Sequence, residues 1–230
     1  MDKNKEELSN LLNNRVISPK EFTLLSFKRG GKRSVIVYCI SFIKNPFVRI
    51  NGWFGLVLAA LIILVTGLLA WFGQFHFPGL LDHSELSPSK HLDFTVIVME
   101  ILISWLIIST MFLIMAKIFK ASSLRYVDFF NYCGIARIPY VILSIMLLIL
   151  RHFDNRLFLT AGNKSGFISV VDFVWMGVFY GIYFWQLYLY YGAFQNASGI
   201  INRTKLWSGF ILSLMISEGV TLGFISSFIV

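Results

Sequence analysis

Five stretches of this chain each run for about twenty residues with next to no charge, the length that crosses a bilayer as a helix, and no other feature limits its fold as strongly. Residues 52–75 contain no Asp, Glu, Lys or Arg, and 94–116, 129–150, 173–194 and 206–230 carry at most one such residue each. In hydrocarbon every backbone N–H and C=O must be satisfied internally, which leaves helices as the spanning structure for segments of this length. The pattern predicts an all-α fold: a five-helix transmembrane bundle over 51–230, preceded by a cytoplasmic amphipathic segment over 1–50. Composition agrees, since only 14% of the residues are charged against about 25% in soluble domains.

The first stretch is the clearest. Trp53 and Trp71 stand eighteen residues apart, roughly 27 Å along a helix, the separation of two interfacial aromatic belts. The third is the least clean. Only thirteen uncharged residues separate Arg137 from Arg151, so the helix is read as starting near 129. That start puts Arg137 and Pro139 near the cytoplasmic interface, where a long arginine can snorkel.

The formal charge of +8 is not the footprint of a nucleic-acid binder, because it is distributed by topology. With the amino terminus inside, segments 1–51, 117–137 and 195–205 hold ten, four and two of the twenty Lys and Arg, sixteen in all, against four outside. Positive charge collects on the cytoplasmic side of membrane proteins, so the reading is a multi-pass protein of the cell membrane, amino terminus in and carboxyl terminus out. Residues 28–33, Lys-Arg-Gly-Gly-Lys-Arg, precede a ten-residue apolar run at 34–43 that is too short to span. It reads as an interfacial helix held against anionic lipid. The lipid bilayer is thus the first partner; a protein partner or a homo-oligomer remains open. The polar start shows no signal-peptide pattern. Cys39 and Cys133 form no CxxC and read as free thiols.

Two acids interrupt the spans. Glu100 shares a helical face with Ser104, and Glu218 lies near the middle of the last stretch. An ionisable group in hydrocarbon is costly and is by default a functional hypothesis. The stretch 173–194 is half aromatic, eleven residues of twenty-two, and Tyr183, Gln186 and Tyr190 form a polar stripe on it. These five residues are the candidate intramembrane polar site, for a cation, a proton relay or an amphipathic solute; the plainer reading is hydrogen bonding between helices. His76, His83, His91 and His152 sort to the outer side, but without the spacing that fixes a metal. No metal or cofactor is expected. No Walker, GxGxxG or metalloprotease pattern occurs, and no serine with a partner base, so no catalytic residue is assigned. Finally, Gly177-xxx-Gly181 and Gly219-xxx-Gly223 each offer a flat face, and the expectation is that they pack together in the outer half of the membrane.

One stretch resembles a known family. Arg125-Tyr-Val-Asp128 followed by Ala136-Arg137-Ile138-Pro139 is similar to the Arg…Asp…Ala-Arg-x-Pro lead into the third span of bacterial members of the Yip (Ypt-interacting-protein-like) family. Asn45-Pro46 before the first span looks like that family's Asn-Pro lead-in. The likeness covers about residues 40–230, chiefly through span number and spacing. It implies a five-span fold and a non-enzymatic scaffold or membrane organiser, with a small transporter or channel as the competing reading. The Asp-Leu-Tyr-Gly-Pro-like stretch of eukaryotic members, which are associated with Rab GTPases, does not occur here, so Rab binding is not carried over.

Overall fold

A computed structural model describes residues 46–48, 50, 52–77, 85–86, 93–119, 121, 124–153 and 170–229. The chain divides into two compact units, 1–49 and 50–230. In the first, only the 3-10 turn Pro46–Val48 is described; the interfacial run at 34–43 and the basic turn lie outside the described residues. The second unit holds helices α1 (Gly52–Gly73), α2 (Phe94–Ile118), α3 (Tyr126–Ile135), α4 (Ile138–Phe153), α5 (Val170–Ser198) and α6 (Arg203–Ile229). A two-residue antiparallel ladder, Phe75–His76 with Glu85–Leu86, follows α1.

Among the described residues, four segments are long and apolar enough to cross a membrane: Gly52–Gly73, Phe94–Ile118, Tyr126–Ile149 and Arg203–Phe224. α5 has the length, 29 residues or about 43 Å. Its five tyrosines and two tryptophans lower its apolarity. The helices overrun the sequence-derived limits at most ends. α1 stops short of residue 75: Gln74 takes a left-handed φ of 52°, and both its backbone and side-chain nitrogens donate to the Trp71 carbonyl.

The third span differs most from expectation. It begins at Tyr126, with Asp128 in the first turn of α3, where a carboxylate complements the helix dipole. Arg125 precedes it as the cap residue. At Ala136–Arg137 the helix breaks into a turn and restarts as α4. Pro139, second in α4, has no N–H to continue the ladder. Arg137 is the twelfth of the 24 residues in the candidate span Tyr126–Ile149, farther from its start than the expected start near 129 would put it. Residues 126–134 look loop-like because they carry Asp128, Asn131 and Gly134, yet all three are buried and point into the bundle.

α1 presents one small-residue face, Gly55, Ala59, Thr66, Gly67 and Ala70, to the bundle, while Trp53, Phe54, Leu61 and Phe72 are exposed on the other. The small face lies against α3 and α4. At the closest approach, a Cβ on Gly134 would overlap Ala59. Asn131 Nδ2 donates to the Gly52 carbonyl at 2.6 Å, and Trp105 Nε1 donates to the Phe130 carbonyl at 3.0 Å. Where α2, α5 and α6 converge, Phe112 meets Tyr190, Phe194 and Phe210 with ring centroids 5.0 to 6.3 Å apart.

The expected glycine-to-glycine packing does not occur. A Cβ at Gly177, Gly181, Gly219 or Gly223 would meet nothing within 4 Å. The main partner of α6 is α2, and α6 meets α5 near their connection, where Tyr191 stacks on Trp207 at 4.4 Å. The physical reason lies in α6 itself: Leu206, Phe210, Ser213, Leu214, Ser217 and Thr221 form its buried face, and the two glycines lie off it.

A candidate intramembrane polar site

Arg137 is the largest fully buried side chain of the bundle, 1% exposed. Its Nη1 donates to the Ile101 carbonyl at 3.1 Å and its Nη2 to Ser104 Oγ at 2.7 Å. Ser104 Oγ in turn donates to the Ile101 carbonyl at 3.1 Å. The serine hydroxyl is thereby used as donor and acceptor, and it clamps the guanidinium. The Tyr140 ring lies 5.9 Å from the guanidinium carbon, within cation–π range.

The polar residues singled out from the sequence lie around this arginine. Gln186 and Tyr190, on α5, are both 0% exposed, and Glu100, on α2, is 2% exposed. Tyr190 shares side-chain hydrogen bonds with Gln186 and Arg137 and lies within electrostatic reach of Cys133. Tyr140 is within reach of Tyr190, Arg137, Glu218 and Tyr183. Glu100 adjoins Ile101 and lies one turn from Ser104, the two residues that accept the Arg137 hydrogen bonds. Tyr183 and Glu218 are half-buried, at the margin of the cluster.

Most of the depths agree. The ends of α2, α5 and α6 on one side of the bundle are brought together by Phe119, Phe194 and Gly209, and Lys117 lies 5.0 Å over the Tyr126 ring at the start of α3. At about 1.5 Å per residue from those ends, Arg137 lies roughly 16 Å deep and Gln186 roughly 18 Å. Tyr140 and Ser104 lie at about 21 Å, Tyr183 and Glu218 at about 22 Å, and Glu100 at about 27 Å. Four helical segments therefore contribute polar groups to the interior of the bundle, most of them at about 16–22 Å, with Tyr190 nearer these ends at about 12 Å and Glu100 farther from them.

Not every polar group in this interior is satisfied. Arg137 Nε and Ser144 Oγ are buried without a hydrogen-bond partner. Chemically the interior offers a fixed cation, a phenol and an amide. Among the described residues no group of three or more His, Cys, Asp or Glu is placed to hold a metal. Sequence reasoning found Glu100 with Ser104 on its face, Glu218, Tyr183, Gln186 and Tyr190, but missed Arg137 and Tyr140 as their companions. The available signal was length: a 24-residue stretch from Tyr126 to Ile149 has Arg137 at its centre.

No protein-family model, curated protein or solved structure matches this chain.

Proposed function

We propose that the chain is a five-span integral protein of the cell membrane, amino terminus inside and carboxyl terminus outside, whose function lies in binding or passing a polar or amphipathic solute at this polar interior. α5 is the fifth span; its tyrosines and tryptophans make it the most polar wall of that interior. One observation carries the reading: a fully buried arginine at the centre of a membrane-length segment, grouped with the buried polar side chains of Gln186 and Tyr190. Charges at such depth are expensive and mark solute or ion pathways, and polar sites beside a broken helix near mid-membrane are a transporter feature. Removing Arg137 from the inner charge count leaves fifteen basic residues inside against four outside, so the orientation argument stands.

The Yip-like resemblance supports a second reading, a non-enzymatic scaffold. There Arg137 acts as a tie from the third span to α2, and its two hydrogen bonds favour this reading.

Topology reporters test the span count. Fusions after Lys120 and Asn202 are expected to read cytoplasmic, and fusions after Ser87, Asn163 and Val230 external. A cytoplasmic carboxyl terminus removes the five-span proposal. Purification from native membranes, with mass spectrometry of what accompanies the chain, separates the two functions. A small molecule lost in Arg137→Gln supports the solute reading, and a protein retained in that variant supports the scaffold.

A further inference from the structure

We propose that residues 75–77, in the connection between α1 and α2, form a detachable aromatic plug: Phe77 closes the bundle over Tyr140 and Arg137, and opens it by leaving. The inference rests on the solute reading, because a plug matters only where something passes behind it. Three observations carry it. First, the chain turns back where α1 ends. Gln74 takes the left-handed φ of 52° and donates to the Trp71 carbonyl, and just beyond it Phe75 and Phe77 are 1% and 2% exposed. Connecting segments ordinarily run over the surface; this one sends two rings inside.

Second, the rings reach far in. Phe77 stacks on Tyr140, with centroids 4.9 Å apart and planes at 23°, and Tyr140 is the fifteenth of the 24 residues in Tyr126–Ile149. The Tyr140 ring in turn lies 5.9 Å from the Arg137 guanidinium carbon, so Phe77 is one ring removed from the buried charge. Third, the hold on the segment is light. Phe75 sets its edge against Phe77 at 5.7 Å and fills the space beside Gly73, where a Cβ would overlap its ring. Among the described residues its strand pairing is the two-residue ladder with Glu85–Leu86, and an isolated two-stranded hairpin is marginally stable. The burial of two rings therefore holds the segment, and no span has to unfold for it to leave. Detachment exposes those rings, which is unfavourable, and admits water to a buried guanidinium, which is favourable. Opposed contributions of this kind keep a closed and an open state close in free energy, as segments that open locally require.

The test uses the full chain in nanodiscs, where both faces meet solvent and no orientation is assumed. The probe is Ser144→Cys, with Cys39→Ser and Cys133→Ser, labelled by a water-soluble methanethiosulfonate. Ser144 is 0% exposed and one turn from Tyr140 on α4. Labelling is expected to be slow with the plug intact and about tenfold faster in Phe77→Leu, the worth of one aromatic pair in the opening equilibrium. Phe194→Ala, which removes an equally buried ring at the opposite end of the bundle, is expected to leave the rate unchanged. Amide hydrogen exchange in the unsubstituted chain is expected to be faster at 75–77 than in α1 and α4. Equal labelling with and without Phe77, or the same acceleration in Phe194→Ala, overturns the plug. Exchange at 75–77 only through global unfolding also overturns it, and that measurement decides the matter if Phe77→Leu does not fold. Neither readout involves the solute. A co-purifying small molecule lost in Arg137→Gln, with no acceleration in Phe77→Leu, removes the plug and leaves the solute reading in place.

Discussion

The contact between α1 and α3 predicts that Gly134 is the least replaceable glycine of the bundle, although it belongs to no small-xxx-small pair recognised in the sequence. A methyl group there would overlap Ala59 Cβ and lie 3.1 Å from Ala59 Cα and 3.2 Å from Trp105 Nε1. Cα and Cβ are fixed to the α1 backbone and cannot rotate away, so Gly134→Ala must push two helices apart. Forced overpacking of this kind costs about 1–3 kcal/mol. Further loss follows if the Asn131–Gly52 hydrogen bond, one turn away at 2.6 Å, is stretched. The gain in helix propensity from glycine to alanine, up to about 1 kcal/mol, offsets part of this. A net destabilisation of about 1–2 kcal/mol is expected. Gly177→Ala and Gly219→Ala, where the new methyl meets nothing within 4 Å, are expected to stay within about 0.5 kcal/mol of wild type. Reversible unfolding in mixed micelles, followed by the fluorescence of the six tryptophans, measures all three. Gly134→Ala at wild-type stability, or Gly219→Ala more damaging than Gly134→Ala, would refute the packing argument.

Further expectations follow from single contacts. Trp105→Phe removes the indole donor to the Phe130 carbonyl and should cost about 1 kcal/mol in the same unfolding assay; no loss would mean that the carbonyl finds another donor. Single tryptophans placed at 184 and 215, where Phe184 and Met215 are 65% and 66% exposed, should be quenched by brominated lipid. A tryptophan at 189, where Leu189 is 1% exposed, should not be, and the reverse pattern would contradict the assignment of lipid-facing sides. Tyr191→Ala removes the stack on Trp207 and should loosen α5 from α6 near their connection. Faster proteolysis between residues 198 and 203 than in wild type is the expected readout, and unchanged cleavage would assign that connection to other contacts.

Much of this architecture is legible in one dimension, because hydrocarbon forbids charge and the forbidden residues can be counted. That is why the first, second and last spans are placed within a few residues, and why Glu100 and Glu218 are visible at once as exceptions. Inward and outward faces are harder to read. Gly219 and Gly223 carry the same spacing as Gly55 and Ala59, yet a Cβ at either of the first pair would meet nothing within 4 Å, while the second pair lies on the bundle face of α1. The spacing says that a flat face exists, not whether another helix reaches it. Arg137 was misplaced for a related reason. The sequence reading starts the third span near 129, and only the burial of Asp128 in the first turn of α3 shows that the helix begins at Tyr126.

The position of Arg137 also bears on how the chain enters the membrane. An arginine at the centre of a spanning helix raises the free energy of insertion by about 3 kcal/mol, enough to make the segment Tyr126–Ile149 a poor candidate for entering hydrocarbon alone. The groups that receive its guanidinium, the Ile101 carbonyl and Ser104, belong to the preceding span and leave the ribosome first. The order of synthesis therefore delivers the acceptor before the charge. The second and third spans should partition as a helical pair, the earlier one shielding the later as it crosses.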